Sequence, residues 1–272
     1  MRAEVGDDIR VVFKNKAPRG FSIDAPGLSS KIAAPTGSTR RRLLSGSDTS
    51  VLEIGDPSKQ AIEANGTFVY NWQVEDWAGP GPVGPSSLLW TYISAVDPSY
   101  DLYSGLAGGV IVTRKGVADA SRVPKDIDRE VLAFFGKYGE DESHLVQKNL
   151  AELTPNCLDE CHWSNNTIHK AMYRRSLNGY MYDNNVQNIE MVVGERVRFY
   201  VAALGEKVNV TAYWHGPTMV THEGKRTQAV TITPKSIAVA DMVPEVPGRY
   251  FFEIKEHAKN GMVGSFLVKA KS

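Results

Sequence analysis

The chain has 272 residues, with 31 basic and 31 acidic side chains and a formal net charge of zero. That balance lacks the basic surplus that phosphate binding requires, which excludes nucleic acid as a main partner. No run of 18 apolar residues occurs, so no helical transmembrane segment is expected, and the length suits two domains of ordinary size.

In chain order, residues 8–14 read Asp-Ile-Arg-Val-Val-Phe-Lys, β-rich and partly alternating. Residues 67–73, 88–94 and 109–114 continue the theme. Between them lie the turn clusters Ala25-Pro-Gly, Gly55-Asp-Pro and Gly79-Pro-Gly-Pro-Val-Gly-Pro85. The second half predicts strands at 130–135, 192–201, 208–214, 229–232, 249–254 and 264–269. Many short strands between Gly/Pro turns predict an all-β sandwich or barrel. One phrase recurs: Ala3-Glu-Val-Gly-Asp-Asp-Ile-Arg-Val-Val-Phe and Met191-Val-Val-Gly-Glu-Arg-Val-Arg-Phe-Tyr-Val. Each is a Val-Gly-acid turn feeding a strand, which predicts two copies of one β-domain. The expected division is 1–117 and 118–272. The second domain carries a polar, helix-forming insertion over 140–176 that holds both cysteines and three of the six histidines.

Chemistry concentrates near the C-terminus, in Phe252-Glu-Ile-Lys-Glu-His257-Ala-Lys-Asn-Gly-Met262. A blue-copper site needs a cysteine thiolate and two imidazoles, often with a weak axial methionine. His257 and Met262 stand at the spacing of such a loop, but Phe252 occupies the thiolate position. The pair therefore reads as the remnant of a blue-copper site that is empty, with His257 a satisfied loop histidine and Met262 a core methionine. Cys157-Leu-Asp-Glu-Cys161-His162 is a second cluster. Its sulfurs could share one helix face and bind zinc or copper(I) with His162, or close a short disulfide; the missing fourth ligand favours the disulfide. Two cysteines neither build a disulfide framework nor exclude one bridge. Asn65, Asn165 and Asn209 stand in glycosylation sequons, meaningful in a secreted protein. Arg40-Arg41-Arg42 reads as a solvated loop, with a sulfated glycan or a protease as the alternative partner. No Ser-His-Asp set, phosphate-binding loop or paired-carboxylate site is specified.

The chain resembles the plasma multicopper oxidase family: ceruloplasmin, hephaestin and the A domains of coagulation factors V and VIII. The stretches that carry the resemblance run in family order. They are Arg2-Ala-Glu-Val-Gly-Asp with Phe13-Lys-Asn-Lys-Ala, Tyr92-Ile-Ser-Ala-Val-Asp-Pro, Gly105-Leu-Ala-Gly with Arg114-Lys-Gly, Ile127-Asp-Arg-Glu, Ser176-Leu-Asn-Gly-Tyr-Met-Tyr and Trp214-His-Gly. The resemblance implies two tandem cupredoxin-like Greek-key β-sandwich domains, an odd-even pair of a longer protein. It also implies that opening strands and a leader precede Met1 in the intact protein, so the first domain is expected to expose a sheet edge and to be poorly soluble alone.

Carried over residue by residue, the family's trinuclear-cluster His-x-His pairs fall on Asp24 with Pro26 and on Ile93 with Ala95. The first blue-copper histidine falls on Val210 or Thr211, and the cysteine on Phe252. His215 sits where the resemblance implies a trinuclear-type ligand, and by itself reads as a hydrogen-bonded strand histidine. A family disulfide falls on Ser87 and Thr113, and a calcium-binding acid on Gly84. The implied function is a secreted, copper-free module that needs no cofactor and is not an enzyme on its own. Its partners would be further cupredoxin-like domains of the same polypeptide or another protein. The alternative is part of a copper-dependent ferroxidase whose copper sites lie in other domains. A third reading is zinc or copper(I) storage through Cys157, Cys161 and His162.

Overall fold

A short strand, Arg2–Glu4 (β1), leads through Gly6, in the left-handed region at φ 96°, into Asp8–Lys14 (β2). Alternation in β2 turns Ile9, Val11 and Phe13 inward and Asp8, Arg10, Val12 and Lys14 outward. Ser29–Lys31 (β3), Thr67–Gln73 (β4) and Ser87–Ile93 (β5) follow, then the helix Pro98–Tyr103 (α1) with proline at its start, and Ala107–Thr113 (β6). These strands form two three-stranded sheets, ordered β1-β6-β5 and β2-β4-β3. Their core is built on Tyr70, Trp72, Val74, Val110 and Val112. The computed structural model describes residues 1–31, 60–153, 172–184, 189–217, 219–221 and 224–271.

The second domain opens with Arg129–Gly139 (β7), the helix Val146–Leu153 (α2) and Tyr173–Leu177 (β8). Ile189–Val192 (β9), Val197–Leu204 (β10), Val210–Trp214 (β11), Met219–Thr221 (β12) and Arg226–Thr227 (β13) continue it. Ala229–Ile232 (β14), Ile237–Met242 (β15), Gly248–Ile254 (β16) and Val263–Lys269 (β17) complete it. A six-stranded sheet, β13-β12-β15-β10-β7-β8, faces a five-stranded one, β14-β11-β16-β17-β9. Between them lie Phe135, Phe199, Trp214, Phe252 and Phe266.

The repeated phrase is a repeated structure. β1 pairs parallel with β6, and β9 pairs parallel with β17. β2 runs antiparallel to β4 as β10 does to β15, and β5–β6 matches β16–β17. Gly194 repeats the positive φ of Gly6. Several strands of the second domain have no counterpart among the described residues, β7 being one: it lies parallel along β10, whereas β2 has β4 as its one neighbour there.

The alternating run at 192–201 is divided. Gly194 turns the chain between β9 and β10, and the Glu195 carboxylate accepts the Val192 N–H at 2.9 Å. In the 140–176 stretch, 146–153 is helix, whereas 173–177 is β8, paired with β7. Tyr-Arg-Arg-Ser-Leu carries too little apolar alternation to announce a strand. Arg40–Arg42, Cys157, Cys161, His162 and Asn165 lie outside the described residues.

Candidate metal centre

The site is assembled where the start of β11 meets the loop after β16. The Thr211 backbone N–H and hydroxyl both donate to the Glu256 carboxylate, at 2.8 and 2.7 Å, and Lys255 N–H donates to the Thr211 carbonyl at 2.9 Å. Burial opposes ionisation of Glu256, but these donors prevail and hold its carboxyl below the usual range. The loop closes on itself through Met262 N–H to the His257 carbonyl and Ile254 N–H to the Met262 carbonyl. Gly261 permits the closure: it sits at φ 113°, and a Cβ there would lie 2.4 Å from the Arg175 carbonyl oxygen.

Val210, Phe252 and Met262 share one buried cluster. Phe252 is 1% exposed, with ring centroids 5.7 Å from Phe199 and 5.8 Å from Phe135, both edge to face. Met262 is a fully buried core methionine. His257 departs from the expectation of a satisfied loop histidine. Its side chain is 16% exposed, yet both ring nitrogens are buried without a hydrogen-bond partner among the described residues. Its Nε2 lies 3.5 Å from the Glu206 carboxylate, which Arg175 Nε approaches at 3.4 Å. Satisfying His257 depends on which groups the fold places around the ring, and local sequence does not contain that information.

This donor set does not fit a blue-copper ion. Such an ion requires a thiolate and two imidazoles, whereas the chain offers one imidazole, one thioether, Val210 and a phenyl ring. Thr211, the alternative position for the first histidine, has its hydroxyl committed to Glu256. Among the described residues no group of three or more His, Cys, Asp or Glu side chains could hold a metal ion.

The remaining candidates are scattered. Asp24 and Ile93 bridge each other through two backbone hydrogen bonds of 2.7 and 2.9 Å, so the two His-x-His positions do meet, carrying a carboxylate and a hydrocarbon. Ser87 and Thr113 stand directly opposite across β5 and β6. Gly84 is exposed, and its carbonyl accepts from Arg114. His215 lies one residue beyond β11, exposed, with Nε2 3.2 Å from Glu253 and its ring edge-on to Tyr213. Asn65 and Asn209 are exposed.

Sequence reading missed a polar network between the domains. Arg198, 1% exposed, donates to both Asp241 oxygens at 2.7 Å and to Ser86 and Ser87 at 2.7 and 2.8 Å. The Tyr200 hydroxyl meets Ser87 at 2.5 Å and donates to Glu130 at 2.6 Å, and Glu130 pairs with Arg2. Burial, reinforced by the Glu130 carboxylate, pushes the Tyr200 phenol far up and keeps it a donor. The available signal was the pair of polar side chains, Arg198 and Tyr200, alternating with Val197, Phe199 and Val201 in an otherwise apolar strand.

The architecture is similar to that of solved copper proteins. A multicopper oxidase superposes with a TM-score of 0.61 at 16% identity, covering 98% of this chain and 77% of that one. Copper nitrite reductase from Nitrosomonas europaea gives 0.65 at 16% identity, covering 98% and 81%. These likenesses define the class, an all-β protein with the cupredoxin-type fold of multicopper oxidases. No family model matches the chain. Among curated proteins, Mus musculus hephaestin is 30% identical over 98% of this chain and 22% of its own length. Homo sapiens hephaestin is 29% identical over 100% and 22%, and Homo sapiens ceruloplasmin 27% over 98% and 24%. The chain belongs to a ceruloplasmin/hephaestin-like family of cupredoxin domains, and it spans less than a quarter of the length of these relatives.

Proposed function

We propose that the chain is a copper-free cupredoxin pair, with domains at 1–117 and 118–272, acting as a structural or interaction module of a longer extracellular protein. The observation that carries this reading is Phe252, whose ring fills the thiolate position from within an aromatic cluster. His257 and Met262 are then remnants of a ligand loop. Asn65, Asn165 and Asn209 are glycan acceptors, and Cys157 with Cys161 forms a short disulfide. The partners are further cupredoxin-like domains of the same polypeptide or another protein. The chain's small share of its relatives' length supports the first of these.

The second reading, part of a ferroxidase with its copper elsewhere, is favoured by one observation. A Mus musculus relative bearing the name ferroxidase is 27% identical over 98% of this chain and 22% of its own length. Copper loading of the purified chain, followed by dialysis, tests the copper-free reading through bound metal and the blue absorption of a copper–thiolate centre. The expected result is neither copper nor colour. Stoichiometric blue copper would overturn the assignment of Phe252. Colourless stoichiometric copper would overturn the copper-free reading and point to Cys157, Cys161 and His162.

A further inference from the structure

The two domains meet through sheet faces that the repeat contains twice. The first domain presents the outer face of β5–β6, where Leu89 and Ile111 pack against Tyr200 and Val239 on the outer face of β10–β15. At the margin of this contact Arg198 of β10 donates to Ser86 and Ser87 at 2.7 and 2.8 Å.

The repeated phrase shows what each position becomes in the other domain. Ala3-Glu-Val-Gly matches Met191-Val-Val-Gly, so Arg10 matches Arg198 and Val12 matches Tyr200. Strand register carries the match across the sheets. Val12 stands opposite Val69 as Tyr200 stands opposite Val239. Ala3 stands beside Val112 and Met191 beside Val268, which makes Leu267 the equivalent of Ile111. Arg249 lies opposite Leu267 as Leu89 lies opposite Ile111. Counting along β16, Val246 and Phe251 then match Ser86 and Thr91.

Each domain therefore carries a second face of the kind that joins the domains. On both second faces apolar side chains stand in water. Val12 is 62% exposed on β2, and Val246 and Phe251 are 61% and 43% exposed at β16. Such groups are the part of a surface that association removes from water. The flanking charges are opposite: Arg10 is exposed beside Val12, and Glu245 is exposed beside Val246. Arg198 reaches Ser86 in the existing contact, so a copy of that contact brings Arg10 to Val246 and its neighbour Glu245. Arg249, in the place of Leu89, turns its guanidinium to the Ser265 hydroxyl at 2.9 Å and leaves its hydrocarbon stem to the face.

We propose that these two faces bind each other between copies of this chain: β2–β4 of one copy receives β16–β17 of a second, head to tail, as the second domain receives the first. The contact is heterologous, so each pair keeps one face of each kind free and further copies can add. Pairing of β2 edges, in contrast, joins like to like and uses no residue of β16 or β17. The first domain's receiving face is the narrower one, because Leu132 and Phe134 of β7 widen its counterpart. Association between copies is therefore weaker than the contact within one chain. The proposal goes beyond the copper-free reading, since the faces stand or fall independently of copper content.

Sedimentation velocity of the whole chain at rising concentration tests it. The wild-type chain should associate, and Val12→Lys or Leu267→Lys alone should weaken association about tenfold or more. Mixed together, these two variants should form a 1:1 dimer and nothing larger, because one intact face of each kind remains between them. Phe251→Lys, at a more exposed position, replaces Leu267→Lys if that variant does not fold. Arg10→Glu should also weaken association, and adding Glu245→Arg should restore it. A wild-type chain that stays monomeric would overturn the proposal. So would association that survives the β16–β17 variants, which assigns it to the β2 edge, or a mixture of the two variants that stays monomeric.

Discussion

A thiolate and a phenyl ring make opposite demands on a site. The thiolate is a charged metal ligand that needs a cation or polar donors, whereas the phenyl ring is stabilised by dry, close contact. At position 252 the fold answers the second demand, with Phe135, Phe199 and Phe266 around the ring and Gly264 opposite it across β17. Phe252→Ala should therefore cost about 3–5 kcal/mol. Urea unfolding would show it as a lowered midpoint with an unchanged slope. A cost near zero would mean that the ring is not part of the core. The strand around Phe252 was legible in the sequence, but its burial was not, because Tyr250, Phe251 and Phe252 run together and Phe251 is the one turned outward. The surroundings of the His257 ring were not, because Glu206, the carboxylate beside it, comes from another part of the chain and is itself approached by Arg175 of β8.

At the scale of the element, β2 and β10 are the same strand in different surroundings. The Val197, Phe199 and Val201 side chains of β10 are fully buried, because β7 covers that edge and packs Val131, Ala133 and Phe135 into the same core. The matching Ile9, Val11 and Phe13 of β2 stay half-buried. Asp8, Arg10 and Lys14 place charges on the outer face, but Val12 among them is 62% exposed. An edge strand with an apolar gap in its charges invites pairing with another copy. The chain should self-associate with rising concentration in sedimentation velocity, and Val12→Lys should shift it toward monomer. A wild-type chain that remains monomeric would show that the edge is already protected. The alternation was readable residue by residue; that no parallel neighbour of β2 stands among the described residues appears only when the two domains are laid side by side.

At the scale of the whole molecule, the domains meet through an apolar patch around Leu89, Ile111, Tyr200 and Val239 and through the Arg198 network beside it. Arg198 spans Asp241 and two serines at once, a geometry that the planar guanidinium can satisfy and an ammonium cannot. Asp241 keeps access to water after the arginine is removed, so Arg198→Ala should cost about 2–3 kcal/mol, below the cost of breaking a fully buried pair. Arg198→Lys should recover little of it. Urea titrations of both variants measure this, and full recovery by lysine would reduce the network to simple charge pairing.

The sequence by itself determined the β-strands, the Val-Gly-acid turns, the family and the absence of a thiolate before His257. Each of these is written in local alternation, in glycine conformational freedom or in side-chain chemistry. Tertiary structure alone decided which faces of those strands became interior, which neighbours flank β2 and β10 among the described residues and which distant groups met at Arg198 and His257. Those outcomes depend on strand neighbours and domain contacts between residues far apart in the chain, and no local pattern encodes the partner.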